Sequence, residues 1–597
     1  MRNAHGWGSI DSVADLGYPQ EAGIVGWSLK GTTRLSRVTT LPLDSELPTS
    51  ADVDGIADEA VEHGEVFTRR WVVEMILDLV GYTADRDLAG HRLVEPACGA
   101  GAFLGVIAQR LSQSCRSYGR PITDAMDAVR AFDLLPRNVQ ASRKTVVDAL
   151  SRDGWTSEEA GVVAKAWVRQ GDYLLLAKHP SADVIVGNPP YIRLEAVPEG
   201  RMRLYRSLWP SMTGRADIYV GFFEAALRSL NPEGKLGFIC ADRWMRNQYG
   251  TALRKLISDG YALDVCVVMH DADAFDEQVA AYPAITVLRR GAQRHAVIAD
   301  TTTAFGPAEA RALTEWISRG QAAETCRTPA WRAARMSYWF SGGDPWPLGS
   351  PERLAILKEL SDRFPALGDP AAKVRVGIGV ATGADKIFLT RDPEVVEADR
   401  LLPLVMVRDV TTGTLNWSGY FLVNPWDEAG YLVDLTKYPR LRAYLERHRS
   451  ELSSRYVARK NPKAWYKTID KVDVGLTSRP KLLFPDMKLS SHPVLDTGGY
   501  YPHHNLYYIT SDVWDLEVLG GLLLSKVCEG FVDAYAVKMR GGTLRFQAQY
   551  LRRIRVPRPD AISFDHRKAL IDAFRRRDVD AATAVALEIY GLQEWPD

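Results

Sequence analysis

Short apolar runs alternate along the first half of the chain with longer stretches in which apolar residues recur every three or four positions. Leu93 and Val94 close on Glu95, residues 128–132 close on Asp133, Val168 leads to Asp172, and Val184 to Val186 empty into Gly187. Between them the helical period returns. Trp71, Val72, Met75, Ile76 and Leu79 make one apolar stripe behind Thr68, which reads as its N-cap, and further helices are expected over 102–111 and 138–150. Strand, acid and helix in repetition predict βα units and a largely parallel sheet. A helix over 217–230, a Pro/Gly stop at 231–234, a strand over 235–240 and a basic helix over 242–256 extend the series. From Val374 the pattern shortens to strands and turns, and one amphipathic helix is expected over 565–590.

The strand end at 183–192, Asp-Val-Ile-Val-Gly-Asn-Pro-Pro-Tyr-Ile, carries the most chemistry. Pro189 and Pro190 each lock φ and lack an N–H, and Pro190 also drives Pro189 into extended backbone, so the local carbonyls stay out of any helix. Asn188 adds a side-chain acceptor and Tyr191 an aromatic face. A flat group with an exocyclic amine suits this turn: its two N–H bonds meet the Asn188 oxygen and the Pro189 carbonyl while its ring stacks on Tyr191. An idle proline turn leaves the same local signature, so the upstream residues decide.

There, Glu95 precedes a Gly99-Ala-Gly101 turn, where glycines let backbone approach a ligand as in dinucleotide folds; the third glycine of that fingerprint is replaced by Leu104. Asp133, ending the second strand, stands where an acid accepts both hydroxyls of a ribose. Asp172, at a third strand edge, is placed for an adenine amino group.

At 597 residues the chain predicts two or three domains. Lys+Arg and Asp+Glu number 74 each, so no global field draws it to nucleic acid and any such contact must be local. Between Lys437 and Lys488, however, 14 Lys/Arg face 5 Asp/Glu, a local excess of 14 − 5 = 9. Arg455, Arg459, Lys460, Lys463, Trp465 and Lys467 interleave cations with an aromatic, which suits phosphate contact and base stacking, and Arg540 belongs to a second, glycine-containing basic strip. Six scattered cysteines without a Cys-x-x-Cys pair argue against a zinc ribbon or disulfide framework and for a reducing cytoplasm. His503-His504 has no carboxylate or cysteine at ligand spacing, so the pair reads as surface and no metal is expected. The first 41 residues lack the apolar core of a signal peptide, and no window reaches the roughly 18 apolar residues of a membrane span.

Glu95-Pro-Ala-Cys-Gly-Ala-Gly-Ala-Phe-Leu104, followed about 90 residues later by Asn188-Pro-Pro-Tyr191 and then a long carboxyl-terminal region, resembles the gamma-class adenine-N6 DNA methyltransferases of type II restriction-modification systems. The resemblance implies an α/β fold: a Rossmann-like class I methyltransferase sheet, then a mixed α+β target-recognition domain. It implies S-adenosylmethionine held by Phe67, Thr68, Glu95, Ala97, Gly99, Asp133, Asp172 and Asn188, and catalysis by Asn188, Pro189, Pro190 and Tyr191. The flipped base would stack on Tyr191 and Phe275, with Tyr282 a competitor for the second place. Arg69 stands where the family often has Pro, and Glu95 where Asp is as common.

The expected division is an extension over 1–60, a methyltransferase domain over 61–295, a connector over 296–370 and a target-recognition domain over 371–597. Expected partners are duplex DNA and a genetically linked restriction endonuclease, with the chain a monomer. Three alternatives stand beside this: a methyltransferase with the same tetrapeptide acting on protein glutamine or structured RNA, a DNA-binding defence component that only senses the cofactor, and a fused nuclease. A compact enzyme of the first kind leaves the carboxyl-terminal region unexplained, and the sequence offers no paired-acid-plus-lysine site for the last.

Overall fold

The computed structural model describes residues 67–192, 194–276, 282–320, 325–337, 339–536 and 543–596. The extension expected over 1–60 and the DNA-contact candidate Arg540 lie outside them.

Ten strands form one sheet: β1 (Leu93–Glu95), β2 (Val129–Asp133), β3 (Val168–Gln170), β4 (Ala182–Gly187), β5 (Leu230–Ala241), β6 (Tyr261–Val268), β7 (Pro283–Arg290), β8 (Ala296–Thr301), β9 (Thr325–Arg327) and β10 (Trp331–Met336). Their order is β3-β2-β1-β4-β5-β7-β6-β8-β10-β9. β1 to β5 pair in parallel, and β7 runs antiparallel between β5 and β6. This is the Rossmann-like class I methyltransferase sheet that the sequence led us to expect. Its order reverses beside β1, with β2 and β3 on one side and β4 and β5 on the other. A crevice therefore opens at the carboxyl ends of β1 and β4, where open α/β sheets bind ligands.

β1 and β4 are buried along nearly their whole length because both faces of the sheet are covered there. The helix Arg70–Val80 buries Val72, Val73, Ile76 and Leu77 completely, each such side chain contributing about 1.5–3 kcal/mol of transfer free energy. It lies so close to β5 that a Cβ at Gly237 would come within 2.6 Å of Val80 and 2.9 Å of Ile76. Its N-cap is Arg69, without a side-chain cap, and not Thr68. Thr68 is instead bridged to Phe275, which takes its backbone away from the helix end.

The helix expected over 242–256 is broken into Arg243–Arg246 and Thr251–Gly260, because Asn247 is extended at φ −75, ψ 155. Residues 296–370, expected as a connector, contribute β8 to β10 to the sheet, with β8 parallel to β6 and β10 antiparallel to both β8 and β9. Beyond them, two four-stranded sheets occupy the carboxyl-terminal region. One pairs 374–378, 506–511, 481–485 and 494–496; the other pairs 389–390, 421–423, 401–405 and 501–502. The single helix expected over 565–590 is two, Phe564–Arg576 and Val579–Tyr590. Arg577 turns left-handed at φ 59 between them, and Asp578 caps the second through Ala581 N.

One apolar core runs across both regions. Trp244, after β5, meets Trp346 at 4.9 Å, and Trp346 stacks on Phe340 at 3.8 Å. The same core continues into Leu519, Phe531 and Tyr590 of the carboxyl-terminal helices. A separate core around Ile76, Phe103 and Trp167 belongs to the ten-stranded sheet, and another, around Phe388, Leu404 and Leu483, to the carboxyl-terminal region alone. Among the described residues no helix is long and apolar enough to cross a membrane.

Candidate active site

At the crevice beside β1 and β4 lies a cavity of about 180 Å³. Phe67, Thr68, Glu95, Ala97, Gly99, Asp133, Asp172, Asn188 and Pro190 all line it, so the residues singled out as a cofactor set converge on one space. The turn after β1 explains part of this. Gly99 and Gly101 hold φ at 51 and 93, and Ser142 and Thr145 clamp the loop by donating to Gly99 O at 2.8 Å and Ala100 O at 3.1 Å.

The three acids differ. Asp133 accepts from Gly99 N and Leu135 N, both at 2.9 Å, and from Asn138 Nδ2 at 3.1 Å, which fixes the carboxylate at the cavity wall. Asp172 caps the turn Tyr173–Leu175 through Leu174 N and accepts from the Tyr205 hydroxyl at 2.6 Å. Burial raises the Asp172 carboxyl, against the opposing pull of Tyr205 and Arg201. Glu95 is 1% exposed, and its Oε2 has no hydrogen-bond partner among the described residues. Burial, reinforced by the nearby charge of Asp133, lifts its carboxyl well above the usual range.

The catalytic candidates stand at the next strand end. Asn188 Nδ2 donates to Thr68 Oγ1 at 3.2 Å, joining β4 to the segment before the first helix. Pro189 is buried and Pro190 half-buried. Tyr191 is half-buried and meets Phe275 edge-on, with ring centroids 6.4 Å apart and planes at 77°. Its hydroxyl is sunk without a hydrogen-bond partner among the described residues, and burial raises the phenol far above its ordinary range. Phe275 is itself 5% exposed and is held in place because Arg69 N donates to Ala274 O and Asp276 N to Phe67 O. The competitor Tyr282 packs on His270 at 4.9 Å.

Among the cavity residues that escaped the sequence reading, two carry polar side chains aimed at one acid. Arg201 and Tyr205, four apart on the helix Glu199–Leu208, present one face to Asp172. Their spacing was the available signal, but nothing local points a helix at a preceding acid.

Residues 144–275 match the family model described as Eco57I restriction-modification methylase. The chain is 44% identical to the type II methyltransferase M.PaeR7I of Pseudomonas aeruginosa, over 91% of this chain and 95% of that protein. It is 40% identical to M.XhoI of Xanthomonas vasicola, over 89% and 98% respectively. This chain belongs to the type II methyltransferases. The fold of the type IIL restriction-modification enzyme MmeI, solved in complex with DNA, also superposes on this methyltransferase, with a TM-score of 0.50 at 13% identity, covering 88% of this chain and 74% of MmeI.

In the methyltransferase's basic region the side chains separate into two kinds. Arg455 is committed to the fold: it donates to the carbonyls of Leu452, Thr382, Trp465 and Lys467 and lies over the Phe388 ring. Trp465 is 6% exposed, under the Arg449 guanidinium, so it offers no free face to a base. Arg459, Lys460 and Lys463 are exposed, and Lys467 is half-buried. His503 is not on the surface as expected; it is 3% exposed, and its Nε2 lies 3.1 Å from Asp385 Oδ2, a carboxylate 118 residues upstream. Chain folding, not local spacing, supplies that partner.

Proposed function

We propose that this methyltransferase transfers a methyl group from S-adenosylmethionine to N6 of an adenine flipped out of duplex DNA, protecting host DNA in the cytoplasm from a cognate restriction endonuclease. One observation carries most of the weight: Asn188 and Pro190 line the same cleft as Glu95, Asp133 and Asp172. A buried, unpartnered Glu95 oxygen fits a cationic ligand, since a positive charge offsets what burial costs the carboxylate. Asp133 is suited to ribose hydroxyls and Asp172 to the cofactor's adenine amino group, with Phe67 exposed at the cavity edge. When bound, S-adenosylmethionine supplies an activated methyl on a sulfonium.

The target amine is a poor nucleophile because its lone pair is delocalised into the purine. With Asn188 Nδ2 donating to Thr68, the amide is oriented with its oxygen turned from Thr68. In this arrangement the Asn188 oxygen and Pro189 carbonyl accept the two N–H bonds, drawing the nitrogen toward tetrahedral geometry and aiming its lone pair at the methyl donor. The chain's contribution is positioning and preorganised electrostatics. Extruding the base costs a few kcal/mol, offset in part by stacking on Tyr191 beside the Phe275 edge. The enzyme acts as a monomer on one strand at a time.

Purified chain incubated with methyl-labelled cofactor and, in parallel, duplex DNA or ribosomal particles tests this. Digestion of the duplex should release N6-methyladenine. Label confined to RNA or to protein glutamine would replace this reading with its alternative.

A further inference from the structure

Away from the cofactor cavity, a deeply buried charged cluster sits just past β5. Asp242 is 0% exposed. It accepts from Arg246 Nη2 at 2.5 Å and lies 2.7 Å from His270 Nε2, while its own N–H donates to Tyr282 O at 3.0 Å. Burial alone would raise its carboxyl, but Arg246 and His270 outweigh that and hold it at about 2. Arg246, 3% exposed, spends its other terminal nitrogen on Ala536 O at 2.8 Å, at the end of the helix Lys526–Tyr535. Two further main-chain bonds reinforce this joint, Trp346 N to Met245 O at 2.7 Å and Leu348 N to Ala534 O at 3.0 Å.

His270 lies in the segment between β6 and β7 that also carries Phe275. Phe275 bridges Thr68, whose hydroxyl accepts from Asn188, and Phe275 also meets Tyr191 edge-on. One carboxylate thus touches the carboxyl-terminal region through Arg246 and the loop beside the catalytic turn through His270. A carboxylate this deeply buried is costly unless every arm is in place, so the two attachments stabilise each other.

We propose that Asp242 is a positioning residue that couples seating of the carboxyl-terminal region to placement of Phe275 against the Asn188–Tyr191 turn. It acts on capture of the extruded base, not on the methyl donor. This rests on the base-flipping reading above.

The test is steady-state methylation by full-length Asp242→Asn and His270→Leu, with His270→Gln as the conservative variant that keeps a donor. On a matched duplex, kcat should fall by up to about 100-fold, the scale for a displaced catalytic geometry, while the cofactor KM stays within about twofold. On a duplex whose target adenine is mismatched, and so already loosened, the loss should shrink about tenfold or more, because part of the unstacking cost is removed. His270→Gln should recover most of the activity. Fluorescence of 2-aminopurine at the target position should rise on binding wild type and less so with Asp242→Asn. Equal losses on matched and mismatched duplexes, a cofactor KM that rises with the loss of kcat, or no loss at all would each overturn the assignment. If wild type methylates neither duplex, the underlying reading has failed instead.

Discussion

The cleft beside β1 and β4 and the basic stretch of the carboxyl-terminal region were both marked by residue type, yet they turned out differently. In the cleft, Glu95, Asp133, Asp172 and Asn188 arrive together because each ends or follows a strand, and parallel strands deliver their carboxyl ends to one edge. In the basic stretch, Arg455 and Trp465 are consumed by the fold while Arg459, Lys460 and Lys463 stay in solvent. Position relative to a strand end is set by topology, whereas a count of cations says nothing about which of them the backbone will claim.

The sharpest way to break this contrast is Asn188→Ala. It should reduce methylation at least about 100-fold, the scale for losing a preorganised polar group at a reacting centre, with cofactor affinity by calorimetry largely kept. Retained turnover would dissolve the distinction at its strong end. Next, Arg455→Met should cost roughly 2–4 kcal/mol in a denaturant titration, since four carbonyls lose a charged donor. The salt dependence of DNA binding should be unchanged. A weaker slope without a stability loss would return Arg455 to the DNA.

Glu95→Gln separates the cleft's binding role from stability. Because the folded Glu95 carboxyl lies above its ordinary 4.5, the folded state holds this proton where the unfolded chain has released it. Its penalty is therefore absent at pH below 4.5 and grows as pH rises toward the folded value. The variant should melt higher than wild type at neutral pH, with the gap closing in acid, while binding cofactor more weakly. A gap that widens in acid would contradict this. The smallest effect is expected for Lys463→Ser. This exposed cation should lower the slope of log affinity against log salt by about one, leaving stability untouched.

The alternating pattern revealed the strand order through β5 and the helices Arg70–Val80, Ala102–Ser117, Pro136–Arg152 and Tyr219–Ser229, but not Ser157–Trp167 or Glu199–Leu208, and strand-end acids revealed three residues of the cavity wall. Features created by distant contact stayed hidden. Arg201 and Tyr205 reach Asp172 only once the helix Glu199–Leu208 folds over the cleft, and Asp385 reaches His503 across 118 residues. Thr68 looked like a helix cap because the sequence cannot show that Phe275 will bridge it. Likewise the break at Arg577 follows from one left-handed residue without a glycine to announce it.

The aromatic cluster of Trp244, Phe340 and Trp346 carries a consequence for engineering this chain. Because they belong to one apolar interior that also takes in the carboxyl-terminal helices, the region beyond 370 is not a detachable cassette. Replacing the chain beyond 370 would leave all three rings in place but remove Leu519, Phe531 and Tyr590, which share their core, so an incoming segment has to supply matching apolar side chains. Changes confined to loops on the carboxyl-terminal sheets should therefore be tolerated more readily than wholesale exchange of that region.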